Sequence, residues 1–233
     1  MISVRDLQES IYQNSYFSEK PHSMRVLNEV RSSSSPILRY VDLHSNGSFI
    51  QIENALLKDS ANIFQTADKV HGRISFRRDC DGIGILDVNG RHVLLLVEVK
   101  SNFNLIKEKG IEQLVSSYVK MQNILHTIKE YNPNDYEEMG ILFSYPPYAR
   151  RVISSSDILA AKTHFVTPSY VDTINSKYAT ALRMDHEITI DLQDYNVFAC
   201  HVNSSLFNST LKVKHIDVTY AASSAVINLD ALI

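Results

Sequence analysis

The dipeptide Asn89-Gly90 constrains this chain more than any other feature. A type I′ turn needs positive φ at both central residues, and Asn-Gly takes that conformation most readily. Apolar segments flank the dipeptide, predicting a hairpin with one strand over about Asp81–Leu86 and another over about His92–Val99. The second strand is almost continuously apolar, which predicts burial on both faces. With Asn89 and Gly90 at the turn centre, Val88 pairs with Arg91. Counting outward sets Leu86 opposite Val93, Gly84 opposite Leu95 and Asp81 opposite Glu98.

That register carries chemistry. Glu98 and Lys100 are two apart on one strand, so they share a face. Directly opposed residues share a face too, and like charges placed there weaken a sheet. Asp81 and Glu98 are such a pair, and a bound cation removes the penalty. Mg²⁺ is held by one or two carboxylates, with water and phosphate oxygens filling the rest of its shell. Asp79 falls opposite Lys100 in the same register and is a second candidate, because a bulge near Gly82 or Gly84 would shift the pairing. Asp87 lies roughly 20 Å along the strand from Asp81 and belongs to no common site.

The rest of the chain reads as follows. Residues of about 3–13 and 23–31 have helical spacing, and Ser32–Ser35 followed by Pro36 reads as a loop. A helix is expected over about 51–66 and a strand over Gly72–Arg78. A long amphipathic helix of about 104–130 carries Ile111, Leu114, Val115, Tyr118, Leu125 and Ile128 on its period. Met139–Phe143 is a short buried strand stopped by Pro146-Pro147. His164–Val166 reads as a strand and 169–183 as a helix. From Ile188 onward the chain alternates in the strand manner, most clearly at Leu211–Tyr220 and Ala225–Leu229, and forms a β-rich appendage or sheet extension. The expected organisation is an N-terminal helical region (1–36), an α/β core (37–168) with a central mixed β-sheet flanked by helices, and a C-terminal helix with a β-rich extension (169–233).

Composition narrows the function classes. With 23 Lys and Arg against 26 Asp and Glu, the net charge is −3, so nucleic acid could be held only by a local basic surface. Arg73, Arg77, Arg78, Lys107 and Lys109 are the candidates for it. Cys80 and Cys200 form neither a metal-type spacing nor a disulfide framework, and a reducing cytoplasm suits them. No apolar run approaches a membrane span. The spacing that a calcium loop, a dinucleotide fingerprint or a phosphate-binding loop would need is absent.

The order Asp81-Gly82, hairpin, Glu98-Val99-Lys100, then a helix bearing Gln113-Leu114 and Tyr118, resembles the PD-(D/E)XK nuclease superfamily over about residues 50–145. The resemblance implies a restriction-endonuclease-like fold and Mg²⁺ (or Mn²⁺)-dependent hydrolysis of phosphodiester bonds in nucleic acid, most readily DNA. It implies that Asp81 and Glu98 bind the metal, that Lys100 assists the attack, and that Gln113 supports the site. Some members add a Glu on the first core helix, for which Glu53 is the candidate here. Cys80 stands where the family carries a Pro. A homodimer is compatible with cutting two strands. Two other readings stay open: an inactive nucleic-acid-binding or interaction module in which the acids and Lys100 form a structural ion pair, and a metal hydrolase of small phosphoesters in a closed pocket.

Overall fold

The computed structural model describes residues 2–11, 14–28, 37–60, 76, 78–103, 106–146, 169–195 and 208–233, without the side chains of 107 and 108. Eight strands form one mixed open sheet flanked by helices. The strands are β1 (Phe17–Leu27), β2 (Tyr40–Ile52), β3 (Gly82–Val88), β4 (Arg91–Lys100), β5 (Tyr136–Ser144), β6 (Glu187–Asp191), β7 (Thr210–Asp217) and β8 (Ser224–Asn228). The helices are α1 (Val4–Ser10), α2 (Asn54–Ser60), α3 (Ile111–Leu125) and α4 (Tyr170–Asp185). The sheet runs β1-β2-β3-β4-β5-β7-β6, with β8 on β2.

The hairpin forms in the expected register. Asn89 and Gly90 have φ of 54° and 78°, and Val88 pairs with Arg91, Leu86 with Val93 and Gly84 with Leu95. β4 then runs parallel to β5, and β5 parallel to β7. Parallel neighbours need a crossover, which α3 supplies between β4 and β5. The two faces of β4 enter different cores. Leu94 and Leu96 join Ile83, Ile85 and the helices, whereas Val93, Leu95, Val97 and Val99 join Met24, Val26, Val41, Leu43 and Phe143. Burial on both faces explains the unbroken apolar run.

The second core exists because the long β1–β2 hairpin folds back over the sheet. β2 pairs with β3 through Ser48–Ile52 and with β8 through Tyr40–His44, so its two halves serve two layers. A Cβ on Gly82 would stand 2.6 Å from Val26, and one on Gly84 would stand 2.9 Å from the Met24 sulfur. These glycines let β1 side chains lie directly on β3. Pro21 is tolerated because β1 is an edge strand, and the pairing slips there, where His22 has φ of 60°.

Several expectations are corrected. The N-terminal region is not helical throughout. Among its described residues Val4–Ser10 is the α-helical part, and 23–27 is strand because it pairs with β2. The helix expected over 51–66 begins at Asn54, with Ile52 ending β2, and its described part stops at Ser60. Arg78 is not in a strand, and the rest of the strand expected over Gly72–Arg78, apart from a turn at Phe76, lies outside the described residues, as does His164–Val166. Of the helix expected over 104–130, the described part is α-helical over Ile111–Leu125, after a wide π turn at Ile106–Gly110, and 104–105 lie outside the described residues. Gly110 marks the change, since a Cβ there would meet Leu142 at 3.3 Å. Of the two readings of the β-rich C-terminus, the sheet extension holds, with β7 against β5.

Candidate active site

The last paired residues of the hairpin are Gly82 and Val97, so Asp81 and Glu98 are the next residue on each strand just past the end of the ladder, and both lie against Lys100. Asp81 Oδ2 accepts the Val99 N–H at 2.9 Å, which replaces the lost strand partner and fixes the carboxylate. Glu98 is fully buried, and its Oε2 has no hydrogen-bond partner among the described residues. Lys100 Nζ contacts Glu98 Oε1 and lies 3.9 Å from Asp81 Oδ2. The Lys100 side chain is 13% exposed and that of Asp81 6%, so the group is shielded but not sealed. Among the described residues, two carboxylates stand against one ammonium in a largely dry place.

Such a group is costly unless something completes it. A buried carboxylate oxygen without a donor, beside a second carboxylate, suits a hard cation that seeks oxygen ligands. Among the described residues no three His, Cys, Asp or Glu side chains gather at metal-binding distance. A cation placed here would have Asp81 and Glu98 as the carboxylates at hand among the described residues, and its remaining positions would fall to water or substrate.

The chain before Asp81 is clamped to α3. Gln113 donates to the Asp79 carbonyl at 2.6 Å, Ser117 Oγ accepts the Cys80 N–H at 2.9 Å, and Arg78 bonds the buried Glu112 at 2.7 Å. Lys120, fully enclosed, pairs with the Asp79 carboxylate and donates to the Phe76 carbonyl at 2.8 Å. Burial lowers the Lys120 pKa, and the hydrogen bond and charge of Asp79 pull it back up. From α2, Asn54 donates to the Asp81 carbonyl at 3.0 Å. Asp81 is thus positioned by both its neighbours in sequence and two helices.

These ties reassign several candidates. Asp79 does not face Lys100, because Lys120 draws its side chain toward α3. Gln113 holds the backbone and acts on the site through Asp79. Arg78 is engaged by Glu112. Tyr118 is core, donating to Glu138 at 2.9 Å. Glu53 is exposed, accepts from Gln51 at 3.2 Å, and shares with Asp81 the lining of an open cleft. Lys109 is exposed on the π turn whose Gly110 packs 3.7 Å from the Glu98 side chain, measured from an added Cβ. Arg73, Arg77 and the Lys107 side chain lie outside the described residues. Cys80 is no nucleophile, since burial pushes its thiol up to about 12.

Sequence reasoning missed Ser117, Lys120, Glu112 and Asn54. A faint signal existed for one of them: Lys120 stands on the apolar side of α3, three residues from Ser117 and two from Tyr118. It also missed a polar row on the neighbouring strands. Ser144 pairs with Lys100 across β4–β5, and Ser144 Oγ meets His215 Nε2 at 2.9 Å. No helix among the described residues is long and apolar enough to cross a membrane. Compared with family models, curated proteins and solved structures, the chain matches none.

Proposed function

We propose that the chain is a divalent-metal-dependent nuclease with a restriction-endonuclease-like core, acting on phosphodiester bonds of nucleic acid and on DNA first of all. The observation that carries this reading is that Asp81 and Glu98, just past the end of the hairpin ladder, both lie against Lys100, with one buried Glu98 oxygen lacking a donor among the described residues. Mg²⁺ or Mn²⁺ held there would lower the pKa of water and polarise a phosphoryl oxygen.

The protein's own groups have defined tasks in this reading. Asp81 is locked by the Val99 N–H and by the α3 clamp, so its carboxylate is in place before any ligand arrives. Such preorganisation avoids reorganisation during reaction. Glu98, placed by the buried strand β4, presents its remaining oxygen. Lys100 rests on Glu98, and with a cation held by that carboxylate its ammonium would orient the attacking water or offset charge on the phosphate. Lys109 on the adjacent turn is a phosphate contact of the kind that positions a strand.

One observation favours a second reading. The Lys100–Glu98 contact balances part of the negative charge without metal, as in an inactive module that only binds nucleic acid. Calorimetric titration of Mn²⁺ into the wild-type protein and into Asp81→Asn and Glu98→Gln separates the two. Binding and cleavage of DNA that vanish in both folded variants support the nuclease. A folded Glu98→Gln protein that cuts at the wild-type rate sinks it.

A further inference from the structure

A chain with a net charge of −3 can hold nucleic acid only through local cations, and most of the described arginines are already engaged. Arg5, Arg25, Arg78 and Arg91 each bond a carboxylate. Arg39 is exposed and bonds no acid among the described residues. We propose that Arg39 is a phosphate contact of the substrate strand, within a few nucleotides of the bond cut at Asp81, Glu98 and Lys100; the proposal rests on the nuclease reading for the place of the cut.

Its place is the first argument. Arg39 stands just before β2, on a segment tied to the residue after Lys100. Ser101 Oγ accepts the Leu38 N–H at 2.9 Å and the Asn28 side-chain amide at 3.4 Å, and the same amide donates to the Leu38 carbonyl at 2.7 Å. Arg39 and Lys100 are each one residue from the Leu38–Ser101 bond, which sets their Cα atoms no more than about 14 Å apart. At a rise of about 3.4 Å per nucleotide, that span covers only a few phosphates of one strand. Its rigidity is the second argument. The Arg39 N–H donates to the Ser223 carbonyl at 2.8 Å, and the Arg39 carbonyl accepts the Asn28 N–H at 2.8 Å. The backbone is thus fixed before any ligand arrives, so ordering on binding falls to the side chain alone. A guanidinium also matches phosphate oxygens through two parallel bonds, which an ammonium cannot do. Its side of the site is the third argument. Leu38 and Val41 share a core with Val99 on one face of β4, whereas Ile106 and Ile111, which bracket Lys109, belong to the core on the other face. Arg39 and Lys109 therefore flank the end of β4 from opposite sides, as contacts that set the register of a strand laid across it.

The test is the salt dependence of binding, read on the full chain in Ca²⁺, which holds the substrate uncut. Labelled DNA and RNA are each offered as a single strand and as a duplex, and the form that the wild type binds tightest carries the comparison. Arg39→Gln is expected to weaken that binding about fivefold, whatever the sequence, and to reduce the slope of log affinity against log salt by about one. Arg39→Lys keeps the charge and is expected to restore the slope. Neither variant is expected to shift the thermal midpoint, because the side chain is exposed and the backbone bonds of residue 39 remain. A slope unchanged in folded Arg39→Gln, a slope that Arg39→Lys fails to restore, or no binding of any form by the wild type overturns the proposal. The same oligonucleotides with Mn²⁺ report on the nuclease separately. A slope that depends on Arg39 without cleavage by the wild type upholds the phosphate contact and removes the nuclease, and cleavage with a slope indifferent to Arg39 does the reverse.

Discussion

Two lysines stand on either side of the Asp79–Asp81 segment, and their surroundings differ in one respect that matters. Lys120 is fully enclosed, meets one carboxylate, and donates to a backbone carbonyl; its charge is balanced one to one. Lys100 is partly exposed and meets two carboxylates, one of which keeps an oxygen without a donor. The first arrangement is complete as it stands. Among the described residues the second sets two carboxylates against one ammonium, and it is open on one side. A completed buried pair contributes to holding a segment in place, whereas an incomplete one is a place for a ligand. The two are joined, because Lys120 fixes Asp79 and Asp79 lies two residues before Asp81.

The largest expected effect tests the completed pair. Lys120→Ala leaves the Asp79 carboxylate enclosed without a partner, and breaking such pairs costs about 3–5 kcal/mol. Urea unfolding is expected to show that loss. Lys100→Ala also strips the buried Glu98 of its ammonium, so a loss of stability is expected here too, but one that Mn²⁺ bound at the carboxylates restores, together with a fall in cleavage rate of about 10²–10³-fold, as for loss of one group stabilising the reacting charge. A Lys100→Ala protein whose urea midpoint does not respond to Mn²⁺ would erase the distinction.

His215 sharpens the comparison by showing a buried base with too little acid beside it. Its ring is buried against Phe103 and His186, and it meets Ser144, with the Asp217 carboxylate 3.8 Å away. Burial, opposed by Asp217 and aided by His186, lowers its pKa to about 4. The unfolded chain takes up a proton below the usual value of 6.5, and the folded chain does so only near 4. Stability is therefore intact above pH 6.5 and is lost as pH falls through that window, by up to about 3 kcal/mol. His215→Gln is expected to flatten this slope in thermal melts taken between those limits. The smallest effect concerns the clamp. Gln113→Ala removes one hydrogen bond to the Asp79 carbonyl, expected to cost about 1 kcal/mol of stability. It should also lower cleavage without abolishing it, since Ser117 and Lys120 still hold the segment. Cleavage lost as fully as in Lys100→Ala would instead make Gln113 part of the reacting group.

The hairpin was legible because its information is local. Asn89-Gly90 dictates the turn, the turn dictates the register, and the register opposes Asp81 to Glu98. β1 and β2 were not legible. Residues 40–48 (YVDLHSNGS) carry apolar side chains at Val41 and Leu43 alone, and 23–27 has spacing that also fits a helix. Both became strands because each pairs with the other, and β2 with β3 and β8, contacts between residues far apart in sequence. The same holds for Asp79. Counting along the hairpin places it opposite Lys100, but the ladder ends at Gly82, and beyond that point the nearest cation decides. Lys120 arrives from a helix, 41 residues along the chain, and nothing in the spacing of Asp79-Cys80-Asp81 announces it.

Three things, then, were set by the chain alone: the hairpin, the opposition of Asp81 and Glu98, and Lys100 on their face. These follow from backbone φ preferences and the two-residue period of a strand, which act between neighbours. The tertiary structure decided the folding back of β1 over Gly82 and Gly84, the capture of Asp79 by Lys120, the use of Gln113 as a backbone clamp, and the cleft beside Asp81. Each of these depends on which distant side chains reach the same place, and close packing with charge pairing settles that only once the whole sheet is assembled.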